Sequence, residues 1–282
     1  MIQYLYLGRV AYDEGLRLQE EIADLRLRGR VENVLLLLEH PPVLTLGRNA
    51  KRANVLASDE LLADRGVSVH EINRGGDVTF HGPGQLVGYP IFDLRTLQKQ
   101  DGGRLGPVDF VRMMEEALIR LCGVYGVRAD RIAGLTGVWC GLDRQVNPGE
   151  DFRAEETPGR KIGAIGIHVS RGITSHGFAF NVTTDLNYFR LINPCGITDR
   201  PVTSLEKEVH DPAELPGLES IAHQAARHFG LVFDQKILAV ESLDVLRAQA
   251  KDAARFPAED TPLKVPAEVE RLLGDPNHPI RA

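Results

Sequence analysis

Cysteine is scarce in this chain. Three occur in 282 residues, Cys122, Cys140 and Cys195, an odd number at no metal-ligand spacing. That excludes a disulfide framework and a zinc knuckle, and fits a reducing compartment. Positive charge is also short, with 33 lysines and arginines against 39 acids for a formal charge of −6. Displacing counterions from a phosphate backbone needs a concentrated basic face, so nucleic-acid binding is excluded. The longest apolar run, Val34 to Leu38, is far shorter than the roughly 20 residues of a membrane span. The N-terminus lacks a basic region followed by a signal-length apolar core, so a cytoplasmic location is expected. Neither G-x-G-x-x-G nor Gly-Lys-Ser/Thr occurs, and no HxH or HExxH, so nucleotide, cofactor and metal sites are not expected.

What is present is an ordinary globular composition, 43% hydrophobic and 26% charged, with 28 glycines and 16 prolines in no G-X-Y period. The length suits one large domain or two small ones, rich in tight turns. Apolar residues at helical spacing predict helices over Asp13 to Leu27 and over Pro107 to Cys122, the latter with Phe110, Met113, Ala117, Leu118 and Leu121 on one face. Ser58 and Gly66 bracket a short helix. Further helices are predicted from Gly217 to Phe229, ending at Gly230, and from Leu243 to Phe256. Strands are predicted at Val34 to Leu38, in VLTLG after Pro41-Pro42, in SVHEINR, and in GVWC, KIGAIGIHV and ITSHGFAFNV. The first two of these read as neighbours joined by a rigid turn. The acidic segment from Leu142 to Thr157 reads as an exposed loop. Together these predict an α+β fold, a mixed β-sheet core backed by helices. Residues 1–233 form the main domain and 234–282 a C-terminal extension.

The densest local signal is RGGDVTFHGPGQ, Arg74 to Gln85. Gly75-Gly76 and His81-Gly82-Pro83-Gly84 permit sharp bends and close backbone approach, so the segment reads as a ligand loop with exposed amides. The plainer reading is two surface turns flanking a strand. Cys195, held between Pro194 and Gly196 in a polar stretch, does not look like core packing, whereas Cys122 and Cys140 sit among apolar neighbours and read as structural. A reactive thiol needs a cationic partner. Lys161, alone in the apolar RKIGAIGIHV, is the best candidate, with Arg160 as the exposed neighbour. His81, His168 and His176 offer a competing cysteine–histidine pairing.

These segments carry a resemblance. RGGDVTFHGPGQLVGYPIFDL (Arg74 to Leu94), GRKIGAIGIHV (Gly159 to Val169), HGFAFNV (His176 to Val182) and INPCGI (Ile192 to Ile197) are similar, in order and spacing, to the octanoyltransferases of lipoate biosynthesis. These are the lipoyl(octanoyl) transferases of the biotin/lipoate protein ligase superfamily. The resemblance runs from about Tyr4 to Phe233, and the segment 142–157 looks longer than the family's usual loop. It implies a biotin/lipoate ligase-like domain that moves an octanoyl group, without ATP, from octanoyl-acyl carrier protein to a lysine of a lipoyl domain. The implied acceptors are lipoyl domains of 2-oxoacid dehydrogenase E2 subunits and the glycine cleavage H protein. By the same resemblance Cys195 forms an acyl-thioester and Lys161 lowers its pKa and moves protons. Substrate contacts fall on Arg74, Gly75, Gly76, Asp77, Val78, Thr79, Phe80, His81, Ala164, Ile165, Gly166, Gly177, Phe178 and Ala179. No cofactor and no nucleic-acid or membrane partner are implied, and a monomer is expected. Two alternatives stay open: an ATP-dependent lipoate or biotin ligase sharing the loop and lysine, and a non-catalytic acyl-carrier-binding module. A basic docking rim for an acidic partner could be Arg48, Lys51 and Arg52, or Arg74 with Arg160 and Arg171.

Overall fold

The computed structural model describes residues 1–99, 102–142, 152–153, 159–193 and 200–255. Cys195, most of segment 142–157 and the residues after 255 lie outside the described residues. Alternating IQYLYLGR forms β1 (Ile2–Arg9), and α1 (Tyr12–Leu27) follows with Leu18 and Ile22 buried, as their spacing predicts. The apolar run becomes β2 (Asn33–Glu39), buried because it lies inside a sheet covered on both faces.

Pairing of β2 with the run after Pro41-Pro42, expected from the sequence, does not occur. The run forms β3 (Val43–Leu46), which pairs instead with β4 (Ser68–Glu71) and β5 (Val78–His81) in a separate three-stranded sheet. Prolines lack the N–H that would continue a ladder, and β2 is already flanked by β1 and by β6 (Gln85–Ile91).

Among the described residues, nine strands make the large sheet. It begins with β12 (Ile237–Ala239), β1, β2, β6 and β11 (Ile173–Asn181). It continues through β10 (Arg160–Ser170), β8 (Leu135–Cys140), β7 (Ala129–Ala133) and β9 (Phe152–Arg153). Parallel pairs at both ends enclose an antiparallel middle, so the sheet is mixed and the fold is α+β.

α3 (Pro107–Val124) and α5 (Leu218–Val232) cover one face. Phe92, Phe110, Phe178, Phe229 and Phe233 interlock there at ring separations of 5.3–5.6 Å. α3 is capped by the Asp109 carboxylate, which accepts the Gly106 N–H at 2.9 Å. It runs past Cys122, and Met114 is buried more fully than Met113. α5 runs through Gly230, where the sequence predicts an end. A side chain there would collide with Ile237, so this glycine serves close packing rather than termination. The other face of β1 and β2 carries α1 and α6 (Leu243–Arg255). α2 (Asp59–Asp64), capped by Ser58, lies over the small sheet, and α4 (Leu205–Glu208) follows the segment containing Cys195. Among the described residues no helix is long and apolar enough to cross a membrane.

Among the described residues, 234–255 do not stand apart. β12 runs parallel to β1, α6 buries Leu246 and Ala250, and Arg247 holds Glu21 through two bonds of 2.7 and 2.8 Å.

Candidate functional site

A cavity of roughly 480 Å³ opens between the middle of the large sheet and the small sheet, within the range of small-molecule sites. Glycine carries its walls. A Cβ on Gly166 would lie 2.7 Å from the Gly75 oxygen, so loop 74–77 approaches β10 this closely only because residue 166 is bare. The Gly75 N–H donates to the Ile167 carbonyl at 3.0 Å. Of the residues marked out in the sequence, Arg74, Gly75, Gly76, Asp77, Val78, Thr79, His81, Lys161, Ala164, Ile165, Gly166, Gly177, Phe178 and Ala179 line this one cavity. Phe80 does not. It alternates with Thr79 and His81 and turns into the small sheet's core, stacked on Tyr188 at 4.7 Å.

Lys161 reaches the cavity because β10 is irregular. Its pairing with β8 shifts between Lys161 and Gly163. Ile162 lies in the core against α3, and a Cβ on the next residue, Gly163, would also face core atoms of Leu118 and Val138. Two consecutive residues on one face mark a bulge, and it sets Lys161 and Ala164 together on the cavity side. The ammonium lies 4.6 Å from the centre of the Trp139 ring, which the Arg200 guanidinium also approaches at 5.7 Å. Arg160, expected to be exposed, is tied to Glu208 by bonds of 2.8 and 2.9 Å.

The chain on either side of residues 194–199 is anchored at this cavity. Before them, the Asn193 N–H donates to the Asn54 carbonyl at 2.7 Å, and the Asn54 amide donates to the Asp77 carboxylate at 2.6 Å. After them, the Lys161 N–H donates to the Pro201 carbonyl and the Thr203 N–H to the Lys161 carbonyl, both at 2.9 Å.

Behind the loop lies a buried polar network. Arg74 is 8% exposed and donates to the carbonyl and hydroxyl oxygens of Thr45 at 2.8 and 3.0 Å, which removes it as a docking residue. The Thr45 hydroxyl donates to His81 Nε2 at 3.4 Å, and His81 Nδ1–H donates to Gln85 Oε1 at 2.8 Å. The Gln85 amide donates to Asn181, whose own amide reaches the Thr203 carbonyl. Burial, with smaller contributions from His40 and Arg74, pushes His81 down to about 3. Burial likewise takes His176 to about 4, and its Nε2–H donates to Asn73. His40 is also at about 4. It donates from Nδ1 to the Val10 carbonyl and accepts the Tyr89 hydroxyl at 2.6 Å. Burial raises the Tyr12 and Tyr89 phenols. At neutral pH these histidines and phenols are therefore uncharged, and the histidine ring bonds disfavour a histidine base for a cysteine.

Tyr12, Tyr89, Trp139, Asn181 and Arg200 also line the cavity without a local signal marking them, and so does Gln85, the last residue of the glycine-rich motif. Cys122 and Cys140 are buried, and the Cys122 thiol, donating a hydrogen bond to Cys140 and desolvated by burial, is held well above its ordinary value, away from reactivity. Among the described residues no three histidines, cysteines or acids group to hold a metal.

The chain matches the model of the lipoyl protein ligase A/B catalytic domain over residues 11–230. It is 59% identical to an octanoyltransferase of Acidobacterium capsulatum over 243 residues, 86% of this chain and 94% of that one. It is 49% identical to an octanoyltransferase of Koribacter versatilis, covering 99% of each chain. A bi-partite lipoate protein ligase from Thermoplasma acidophilum shares the fold at a TM-score of 0.62 and 15% identity, over 90% of this chain and 92% of that one.

Proposed function

The chain belongs to the octanoyltransferases, within the family of the lipoyl protein ligase A/B catalytic domain, and from that premise we propose a mechanism for its acyl transfer through Cys195 and Lys161. The donor in this reading is octanoyl-acyl carrier protein, and the acceptor is a lysine of a lipoyl domain. The Cys195 thiolate adds to the thioester carbonyl, and the tetrahedral adduct collapses by expelling the carrier's thiolate, leaving an octanoyl-cysteine. The acceptor amine then adds to that carbonyl, loses a proton and releases Cys195 as the amide forms. Exchange of one thioester for another is near balance and amide formation is downhill, so no nucleotide is consumed.

Lys161 favours the thiolate by charge and takes and returns the proton. The oxyanion takes its amide donors from the glycine-rich backbone that lines the cavity. The apolar side of the cavity, with Val87, Ala164 and Phe178, takes the acyl tail. Six buried methylenes at about 0.8 kcal/mol each give roughly 5 kcal/mol of binding.

One observation carries the reading: Lys161, the glycine loop and both anchors of segment 194–199 converge on a single cavity. Cys195 is two residues from Asn193, so covalent geometry alone keeps its Cα within about 7 Å of that anchor. A reducing cytoplasm keeps the thiol free, and the enzyme acts there as a monomer.

The test is mass spectrometry after mixing the protein with octanoyl-loaded acyl carrier protein, without ATP. An octanoyl adduct on Cys195, absent from Cys195→Ala and discharged by a lipoyl domain, is expected. Modification of the lipoyl domain only when ATP and free octanoate are supplied would replace this reading with a ligase.

A further inference from the structure

β8 carries a glycine, Gly137, at φ +125°, a region L side chains rarely adopt. It lies beside the bulge that turns Lys161 into the cavity. A Cβ built on Gly137 would lie 2.6 Å from the Gly163 oxygen, 3.2 Å from Lys161 Cε and 3.6 Å from Lys161 Nζ. The end of the lysine therefore rests on the bare face of this glycine, with the Trp139 ring also against the ammonium.

Gly137 is itself held. Its N–H donates at 2.9 Å to Oε1 of Glu115, an α3 residue 1% exposed. The second oxygen of Glu115 is fixed by Arg112 at 2.9 Å and Arg131 at 3.2 Å. A buried carboxylate held by two guanidiniums is a rigid support, and it grips the one peptide on which the lysine lies.

We propose that Gly137, clamped by Glu115, is a positioning residue for Lys161, setting where the ammonium stands in the cavity. The inference rests on the catalytic reading of Lys161. Neither residue is among those lining the cavity. Both act through the lysine: a methyl at residue 137 would crowd Lys161 Cε at 3.2 Å and, at 2.6 Å, the Gly163 carbonyl two residues along the same strand, so it shifts the end of the lysine together with the backbone that carries it.

The test is a double-mutant cycle on transfer from octanoyl-acyl carrier protein, with thermal melts as the folding control. Gly137→Ala is expected to slow transfer about 100-fold, the scale on which a misplacement of about 1 Å acts, and to shift the pH–rate profile. In a Lys161→Ala background the same change should add less than about twofold. A folded Gly137→Ala with the wild-type rate and profile, or an equal loss in both backgrounds, overturns the proposal.

Should Gly137→Ala fail to fold, Glu115 decides. Glu115→Ala removes the acceptor and should slow transfer, whereas Glu115→Gln keeps a carbonyl for the Gly137 N–H and should recover most of the rate. A glutamine variant as slow as alanine would place the effect in the ion pairs and sink the proposal. Lys161→Ala alone separates the two readings. At the wild-type rate it removes the catalytic role of Lys161 and this inference with it, while a slow Lys161→Ala with an independent Gly137 effect removes positioning alone.

Discussion

Arg74, Thr45, His81, Gln85 and Asn181 form one hydrogen-bonded line from the glycine loop to Thr203, which is bonded to the Lys161 peptide. Burial keeps the histidines around it neutral, and the line satisfies the ring of His81 in that state. His81 titrates at about 3 and His40 and His176 at about 4, in each case chiefly through burial. In the unfolded chain the same groups titrate near 6.5. Below that pH the unfolded state binds more protons, so stability falls as the pH drops toward 4. Urea titrations at pH 7 and pH 5 should differ by on the order of 2 kcal/mol per histidine, and His81→Gln should reduce the difference. A free energy of unfolding independent of pH across that window would refute the neutral, buried assignment. Thr45→Val removes the hydroxyl between Arg74 and His81 and should cost about 1–3 kcal/mol through the groups left unpaired. Equilibrium unfolding at pH 7 measures it.

At the scale of elements, the sheet's far edge depends on the extension. β12 covers β1, and α6 completes the core that also holds Leu5, Leu18, Ile22 and Val34. Truncation after Phe233 uncovers the β1 edge and that apolar face, a route to strand-to-strand aggregation. Leu246, 1% exposed, should cost about 2–5 kcal/mol on truncation to alanine. A Leu246→Ala protein melting at the wild-type temperature would mean α6 does not contribute to the core. α1, α3 and β2 were legible in the sequence because an apolar period, or in β2 an unbroken apolar run, lies within the segment itself. The separation of β2 from β3, the passage of α5 through Gly230 and the bulge at Lys161 were not. Each is decided by a partner outside the segment itself: the β1 and β6 neighbours, Ile237 beyond the end of α5, and β8. The candidate site divides the same way. Clustered glycines and a lysine in an apolar strand mark the loop and Lys161, whereas Tyr12, Tyr89, Trp139 and Arg200 reach the cavity only through the order of the strands.

For the whole molecule, net charge and substrate pull in opposite directions. A chain at −6 repels an acidic carrier protein at long range, yet that field is screened beyond about 8–10 Å at physiological salt. Contact is then governed by the charges nearest the cavity mouth. Of the two rims the sequence offers, one is lost, because Arg74 is buried and Arg160 is paired with Glu208, leaving Arg171 exposed in the β10–β11 turn. The other survives. Arg48, Lys51 and Arg52 are exposed on the loop whose backbone joins the glycine loop at Arg74 and Gly76 and carries the Asn54 anchor. Arg52 is partly neutralised by Asp59, so Arg48 and Lys51 should dominate. Arg48→Glu with Lys51→Glu is expected to raise the KM for octanoyl-acyl carrier protein about tenfold, roughly 1.4 kcal/mol, and to weaken its dependence on salt. Octanoyl-pantetheine, a donor with no protein surface, should be used with unchanged kcat/KM. If both donors suffer equally the loop shapes the cavity rather than docking the carrier, and if only Arg171→Glu raises the carrier's KM the approach is from the β10–β11 turn.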